Sequence, residues 1–478
     1  MEEAAPRDAG SGPAAAGPSA AGPWRREAWD TLRLAAPLML SQLAAVAIGT
    51  TDIVMMGWLG PEKLAAGALG VNFYFPIYLF GVGLVNAVTP MTAQALGARR
   101  FGVVRRTLRQ GLWVVLAYTV PISLLIWEAR PVLIGFGQTE TNALLAQGYL
   151  QAAVWGLGPS LGVVTLRCFL SAHSRPRSVL VVTLLGVGVN ALGNYALMFG
   201  HFGFPALGLV GAGISSALVN VFMFLALLGF VMRDRRLRRY APLTRFWRAD
   251  WARFREIVRI GAPIGLTIMA ESGMFSAAAF LMGLLGTTQL AAHAIALQCA
   301  AVAFMVPLGI SQAATVRVGL AVGAGDRAGV GRAGWSALVL GAGFAVFSAL
   351  VFWLLPRPLA GLFLDLGAPE HLPVVELAGS LLGIVALFQV FDGAQIIAGG
   401  ALRGLKDTRV PMILATLGYW PVGFGTGALL GFAFGFGGLG VWAGLALGLM
   451  VVAVLAIWRF HRRDRWSTAF DGPVPADS

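Results

Sequence analysis

Apolar runs of about 20 residues, each long enough to cross a bilayer as a helix, recur along almost the whole chain. They fall near 33–57, 65–95, 107–127, 145–170, 177–200, 208–232, 257–286, 290–322, 333–355, 374–402, 410–430 and 438–458. Of the 478 residues, 57% are hydrophobic and 12% charged, more apolar surface than a water-soluble fold of this length can bury. The spacing predicts a polytopic membrane protein built only of helices. Residues 1–30, rich in Ala, Gly and Pro, read as a disordered tail and not a signal peptide, because no apolar core precedes a cleavage site. A second loose tail is expected over 461–478. Cys168 and Cys299 both lie inside apolar runs and read as packing residues.

The links between runs alternate in charge. Those such as "GPEK", "QTETN" and "GHFGFP" carry few cations, whereas "GARRFGVVRRTLR", "HSRPRS" and "RFHRRDR" are rich in arginine. Of 35 Lys and Arg, all but Lys63, Arg130 and Arg357 fall on one side. Cations accumulate on the cytoplasmic face, so both termini are expected there, in a bacterial inner membrane. Topology therefore accounts for the net charge of +13, and a nucleic-acid partner is not expected.

The second half of the chain repeats the first in one fixed register, which pairs Arg33 with Arg259 and Pro37 with Pro263. "LRLAAPLML" (32–40) aligns with "VRIGAPIGL" (258–266), and "MGWLGPEKLAAGA" then meets "MGLLGTTQLAAHA" without a gap. Gly83/Gly309 and Gly97/Gly323 follow in the same register. Six spans per repeat is an even number, so both halves enter the membrane in the same direction. The expected fold is all-α, with twelve transmembrane helices in two six-helix lobes related by a pseudo-two-fold axis along the membrane normal. The lobes are expected over 31–232 and 257–460, joined by a basic linker over 233–256.

Three acids fall inside spans. Glu271, counted along its helix from Arg259, lies roughly 18 Å from that boundary at about 1.5 Å per residue. Asp392, counted back from Arg403, lies roughly 16 Å deep. The two carboxylates therefore share a level in the second lobe, where no Lys or Arg is expected beside them. A carboxylate there is driven towards its neutral form, and a pair of them suits a proton, a sodium ion or a cationic ligand. Asp52, counted from Arg33, and Asn194, counted from Arg177, sit at similar depths, with Asn190 one turn away from Asn194. A carboxylate with two amide oxygens suits sodium or a hydrogen-bonded proton. Polar groups of this kind also cement helices together, but an intramembrane acid is by default a functional residue. Gln94, Gln298, Gln389 and Gln395 either face a cavity or bridge helices. His293 reads as a packing or interfacial residue.

The only lysines are Lys63 and Lys406, so no GxxxxGK[ST] phosphate loop exists, and neither HExxH nor GxSxG occurs. The chain is not expected to be an enzyme or to need a cofactor. An ion gradient is the drive left to it.

"TTDIVMMGWLG", "AESGMFSAAAFLMGLLG", "LAAHAIALQ", "VGVNALGNYALMFGHFG" and, most specifically, "FQVFDGAQIIAGGALRGLKDTRVP" resemble the NorM-type branch of the multidrug and toxic compound extrusion (MATE) transporters. The resemblance runs from about residue 30 to 460. It implies export of bulky organic cations in exchange for H+ or Na+, by a monomer in the lipid bilayer. The family's cation-site acids fall on Glu271 and Asp392 in the second lobe and on Asp52 in the first, with Asn190 and Asn194 as the first-lobe asparagines. A tyrosine of some relatives' second-lobe ion site is Phe388 here, which puts a strict sodium requirement in doubt. Phe388, Gln298, Gln389 and Gln395 are candidates for the substrate cavity. The competing functions are export of an endogenous metabolite or of an anionic or lipid-linked substrate, the latter two calling for cationic groups in the cavity, and a receptor or scaffold without transport.

Overall fold

The computed structural model describes residues 21–240 and 246–466. No strand occurs among them. Twelve helices are long and apolar enough to span a membrane. In chain order they are α1 (Gly22–Gly57), α2 (Pro61–Gly97), α3 (Phe101–Trp127), α4 (Glu140–Ala172), α5 (Pro176–Phe199) and α6 (Gly208–Arg233). The second set is α7 (Trp251–Leu285), α8 (Thr287–Gly323), α9 (Arg327–Leu354), α10 (Pro369–Gly404), α11 (Arg409–Ala433) and α12 (Gly437–His461). Helices keep every backbone N–H and C=O paired where no water can reach them, which explains their monopoly here.

Several helices outrun the apolar stretches that announce them. Residues 22–30, expected within a disordered tail, form the first turns of α1, and Arg463–Trp466 adds a short helical turn beyond α12. Helical hydrogen bonding continues past the apolar run because polar side chains at the ends find partners. Glu27 accepts from Arg317 Nε (2.8 Å) and Nη2 (2.6 Å), and the Trp466 indole donates to Arg459 O (2.9 Å). The tail readings for 1–20 and 467–478 lie outside the described residues.

The repeat is visible in the backbone. The turn after α1 needs a positive φ, supplied by Gly60 (106°), and the turn after α7 uses its repeat partner Gly286 (122°). The two lobes also meet through pairs that obey the same repeat register. A Cβ on Gly83 would lie 2.1 Å from Gly265 Cα, and one on Gly309 would lie 2.3 Å from Met39 Cγ. A Cβ on Gly97 would lie 2.1 Å from Leu320 O, and one on Gly323 would lie 2.0 Å from Gln94 O. Met39 and Gly265 are repeat partners, as are Gln94 and Leu320. These are the reciprocal contacts that a two-fold axis generates. They lie in the arginine-rich half, where Arg317 also reaches across to Glu27 and to Asp30 (3.3 Å).

The linker is tied to the first lobe. Trp113 Nε1 donates to Phe246 O (2.8 Å), and Asp250 caps α7 by accepting from Arg253 N (3.1 Å). Asp234 accepts from the backbone N–H of Arg236 (2.8 Å) and Leu237 (3.3 Å), and these donors, the first foremost, hold its carboxyl below the usual range. Just beyond α4, His173 packs against Phe169 and Tyr240, and burial lowers its pKa to about 4. Residues 241–245 of the linker lie outside the described set.

Candidate functional site

In the first lobe, α1 carries Asp52 and α5 carries Asn190 and Asn194, one helical turn apart. Asn190 Nδ2 (2.9 Å) and Asn194 Nδ2 (2.6 Å) both donate to Asp52 Oδ1. Ser216 of α6 donates to Oδ2 (3.1 Å), a partner that sequence reading missed. The expected grouping of three residues is therefore present, but the amides turn the opposite way. Their nitrogens face the carboxylate, while Asn190 Oδ1 and Asn194 Oδ1 are buried without a protein partner among the described residues. Asp52 thus has three donors around it, an arrangement that suits a carboxylate carrying charge.

The second lobe brings Glu271 of α7 together with Asp392 of α10 through a single amide. Gln395 Nε2 donates to Glu271 Oε1 (3.0 Å) and to Asp392 Oδ1 (3.3 Å). Asp392 and Gln395 are both buried and three residues apart, hence on one face of α10. Gln395 Oε1 accepts from the hydroxyl of Tyr419 (2.9 Å), a fully buried residue of α11. Tyr419 sits in the π-helical stretch Gly418–Phe424, which contains Pro421. Wide turns of that kind recur at functional sites, and the "GYWPVGF" run was the available signal for it.

Two expectations change here. Arg403, assigned from sequence to the helix boundary, lines the same crevice as Glu271 and Gln395, so the acid pair does have an arginine neighbour. Its long side chain extends from the end of α10, with Nη2 donating to Ser311 Oγ (2.8 Å). Phe388 is packed into the lobe core against Phe275 and Trp442, with ring centroids 6.0 and 5.3 Å away, and does not offer a face to a cavity.

The remaining glutamines separate. Gln94 bridges the lobes by donating to Gly404 O (2.8 Å). Gln389 is buried with neither amide atom partnered among the described residues, and Gln298 is exposed on α8. His293 packs against Trp442, with ring centroids 5.5 Å apart. No hydrogen bond or ion pair among those identified in the described residues joins the Asp52 cluster to the Glu271–Asp392 cluster. They are two separate clusters, one inside each lobe.

Twelve spans, a two-fold pair of lobes and intramembrane acids held by amides define a two-lobed membrane transporter. The MatE family model matches residues 37–196 and 263–429, one stretch in each half of the chain, and the chain belongs to this family of MATE transporters. It is 49% identical over 444 residues to the probable multidrug resistance protein NorM of Mesorhizobium japonicum, covering 92% of this chain and 95% of that protein. Its fold matches a mutant of the Vibrio cholerae MATE transporter VcmN with a TM-score of 0.85 at 17% identity, covering 94% of this chain and 99% of that one. It likewise matches a multidrug resistance MATE family transporter of the MOP superfamily in an outward-facing conformation, with a TM-score of 0.80 at 20% identity over 94% of this chain and 97% of that one.

Proposed function

We propose that the protein is a secondary active exporter that exchanges bulky, drug-like organic cations for H+ or Na+ by alternating access. On this reading it works as a monomer in a bacterial inner membrane, with the arginine-rich face and both termini in the cytoplasm. The observation that carries the proposal is the pair Glu271 and Asp392 sharing one amide donor inside an apolar bundle. Such a pair accommodates one positive charge readily and two poorly, which is the property that exchange requires. The multidrug names of the NorM relatives support the substrate class. The lobes meet by close packing in their arginine-rich half, which supports an outward-facing state as the one described.

A proton is the coupling ion that the donors favour. Sodium needs several oxygen ligands, yet Gln395 turns N–H towards both acids and its oxygen is taken by Tyr419. The first lobe likewise turns two amide N–H groups on Asp52. Phe388 adds no hydroxyl. Ethidium transport in inside-out vesicles, with sodium and pH gradients imposed separately, tests both levels. A pH gradient alone should drive accumulation in sodium-free buffer. An absolute sodium requirement would remove the proton assignment, and no response to either gradient would remove the exchanger.

A further inference from the structure

A narrow crevice with a void of about 50 Å³ runs inside the second lobe between α7, α10, α11 and α12. It begins at Glu271 and Gln395, passes Gly399 and Arg403, and ends at Asp407 and Thr408. Asp407 and Thr408 also line a shallower depression with Glu256, Lys406 and Arg409 at the arginine-rich end. The two spaces share Asp407 and Thr408 and together reach from Glu271, joined to Asp392 through Gln395, to that surface. They do so while the seam between the lobes is closed by the glycine contacts at Gly83 and Gly97.

We propose that this crevice is the route by which the coupling cation at Glu271 and Asp392 exchanges with the solution at the arginine-rich face, separate from the inter-lobe path of the drug. The inference rests on the exchanger reading above and says where its ion travels. Arg403 is the positioning residue that gates the route. Its guanidinium is moored to Ser311 Oγ, and Ser311 in turn donates to Ile396 O (2.6 Å), so its charge is held on the wall of the passage. At the mouth, Asp407 is paired with Arg459 (2.6 Å) and Lys406 with Glu256 (2.8 Å), while Arg259 and Arg409 line the same depression. Arg403 is the cation on the wall of the crevice itself, where its charge bears directly on the passage towards Glu271. A fixed positive charge in a narrow, poorly polarisable passage opposes the free entry of other cations. An exchanger whose ion had unguarded access from this side would dissipate the gradient it uses. Arg403 supplies the guard, and displacement of its side chain would open the route.

Gly399 gives the test a clean handle, because a Cβ built there meets no atom within 4 Å and it lines the crevice. In a background carrying Cys168→Ser and Cys299→Ser, Gly399→Cys is exposed to a membrane-impermeant methanethiosulfonate from each face of sealed vesicles. Arg465→Cys reports the arginine-rich face. Modification of Gly399→Cys should come from that same face, at least about tenfold faster than from the other. Adding Arg403→Gln should raise the rate for a cationic reagent by about tenfold and for a neutral one much less. Gly399→Phe should slow gradient-driven efflux about tenfold while drug binding is retained. Protection of Gly399→Cys from the arginine-rich face, equal modification from both faces, or full efflux by Gly399→Phe would overturn the route. Labelling does not depend on transport. Protected Gly399→Cys with normal wild-type efflux overturns the crevice alone, whereas wild-type protein without gradient-driven efflux overturns the exchanger reading first.

Discussion

Placing one methyl group on the two-fold seam should push the lobes apart at the arginine-rich end. In Gly97→Ala the new Cβ would lie 2.1 Å from Leu320 O, and in Gly323→Ala 2.0 Å from Gln94 O, against 3.4 Å for an ordinary contact. Each position falls short by more than an ångström, and that space must come from moving one lobe against the other. The obstacles are backbone carbonyls of long helices, which cannot rotate away as a side chain would. Overpacking of this kind costs about 1–3 kcal/mol. The open seam does not bear that cost, so the ratio of closed to open should fall by about 5- to 150-fold. Spin labels at Arg105 and Arg409, exposed residues on opposite lobes, would report the change as a longer inter-lobe distance in double electron–electron resonance. Because the contacts are reciprocal, both variants should move the distribution in the same direction and by similar amounts. Wild-type distributions in both, or a shift in only one, would refute the symmetric seam.

Other consequences are local. Tyr419→Phe removes the donor that holds Gln395 Oε1, which frees the amide to turn and should lower coupled efflux about tenfold without loss of folded protein; unchanged efflux would make the hydroxyl incidental. His173 is kept neutral by burial, with a pKa of about 4 against 6.5 when free. The unfolded form gains its proton first as pH falls, so packing of Tyr240 on His173 should weaken from pH 6.5 downwards and be weakest below pH 4. Hydrogen exchange over 168–174, corrected for intrinsic rate, should rise across that window, and a flat profile would contradict it. A reporter fused after Ser478 should be active only in its cytoplasmic form, and activity of a periplasm-dependent reporter there would invert the orientation.

What could be read from sequence divides along physical lines. The spans were legible because a bilayer sets the length of an apolar run. The seam glycines were legible as a repeat, although only the packing shows that Gly97 faces Leu320 and Gly323 faces Gln94. Glu271 and Asp392 announced themselves because counting residues from an arginine gives depth along a helix. The same counting failed for Arg403, since rise per residue locates a Cα and not the reach of a long side chain. Ser216 and Tyr419 carry no such mark, as neutral hydroxyls are common inside membrane helices. The missing hydroxyl at Phe388 was visible, whereas the hydroxyl that does reach Gln395 comes from another helix. Which end of Asn190 or Asn194 faces Asp52 depends on what surrounds the amide, and spacing is silent on that.

The central claim is that Glu271 links the movement of an ion to the movement of the drug. Glu271→Gln keeps the size of the side chain and an oxygen that can accept from Gln395 Nε2, but it cannot carry the negative charge that a bound cation neutralises. Concentrative ethidium efflux, measured at matched protein levels under an imposed gradient, therefore tests it most directly. The variant should insert, fold and bind drug yet lose gradient-driven efflux, with Asp392→Asn behaving alike because both acids share one amide. Near-normal concentrative efflux by Glu271→Gln would contradict the claim and leave the glutamate as a helix-packing residue.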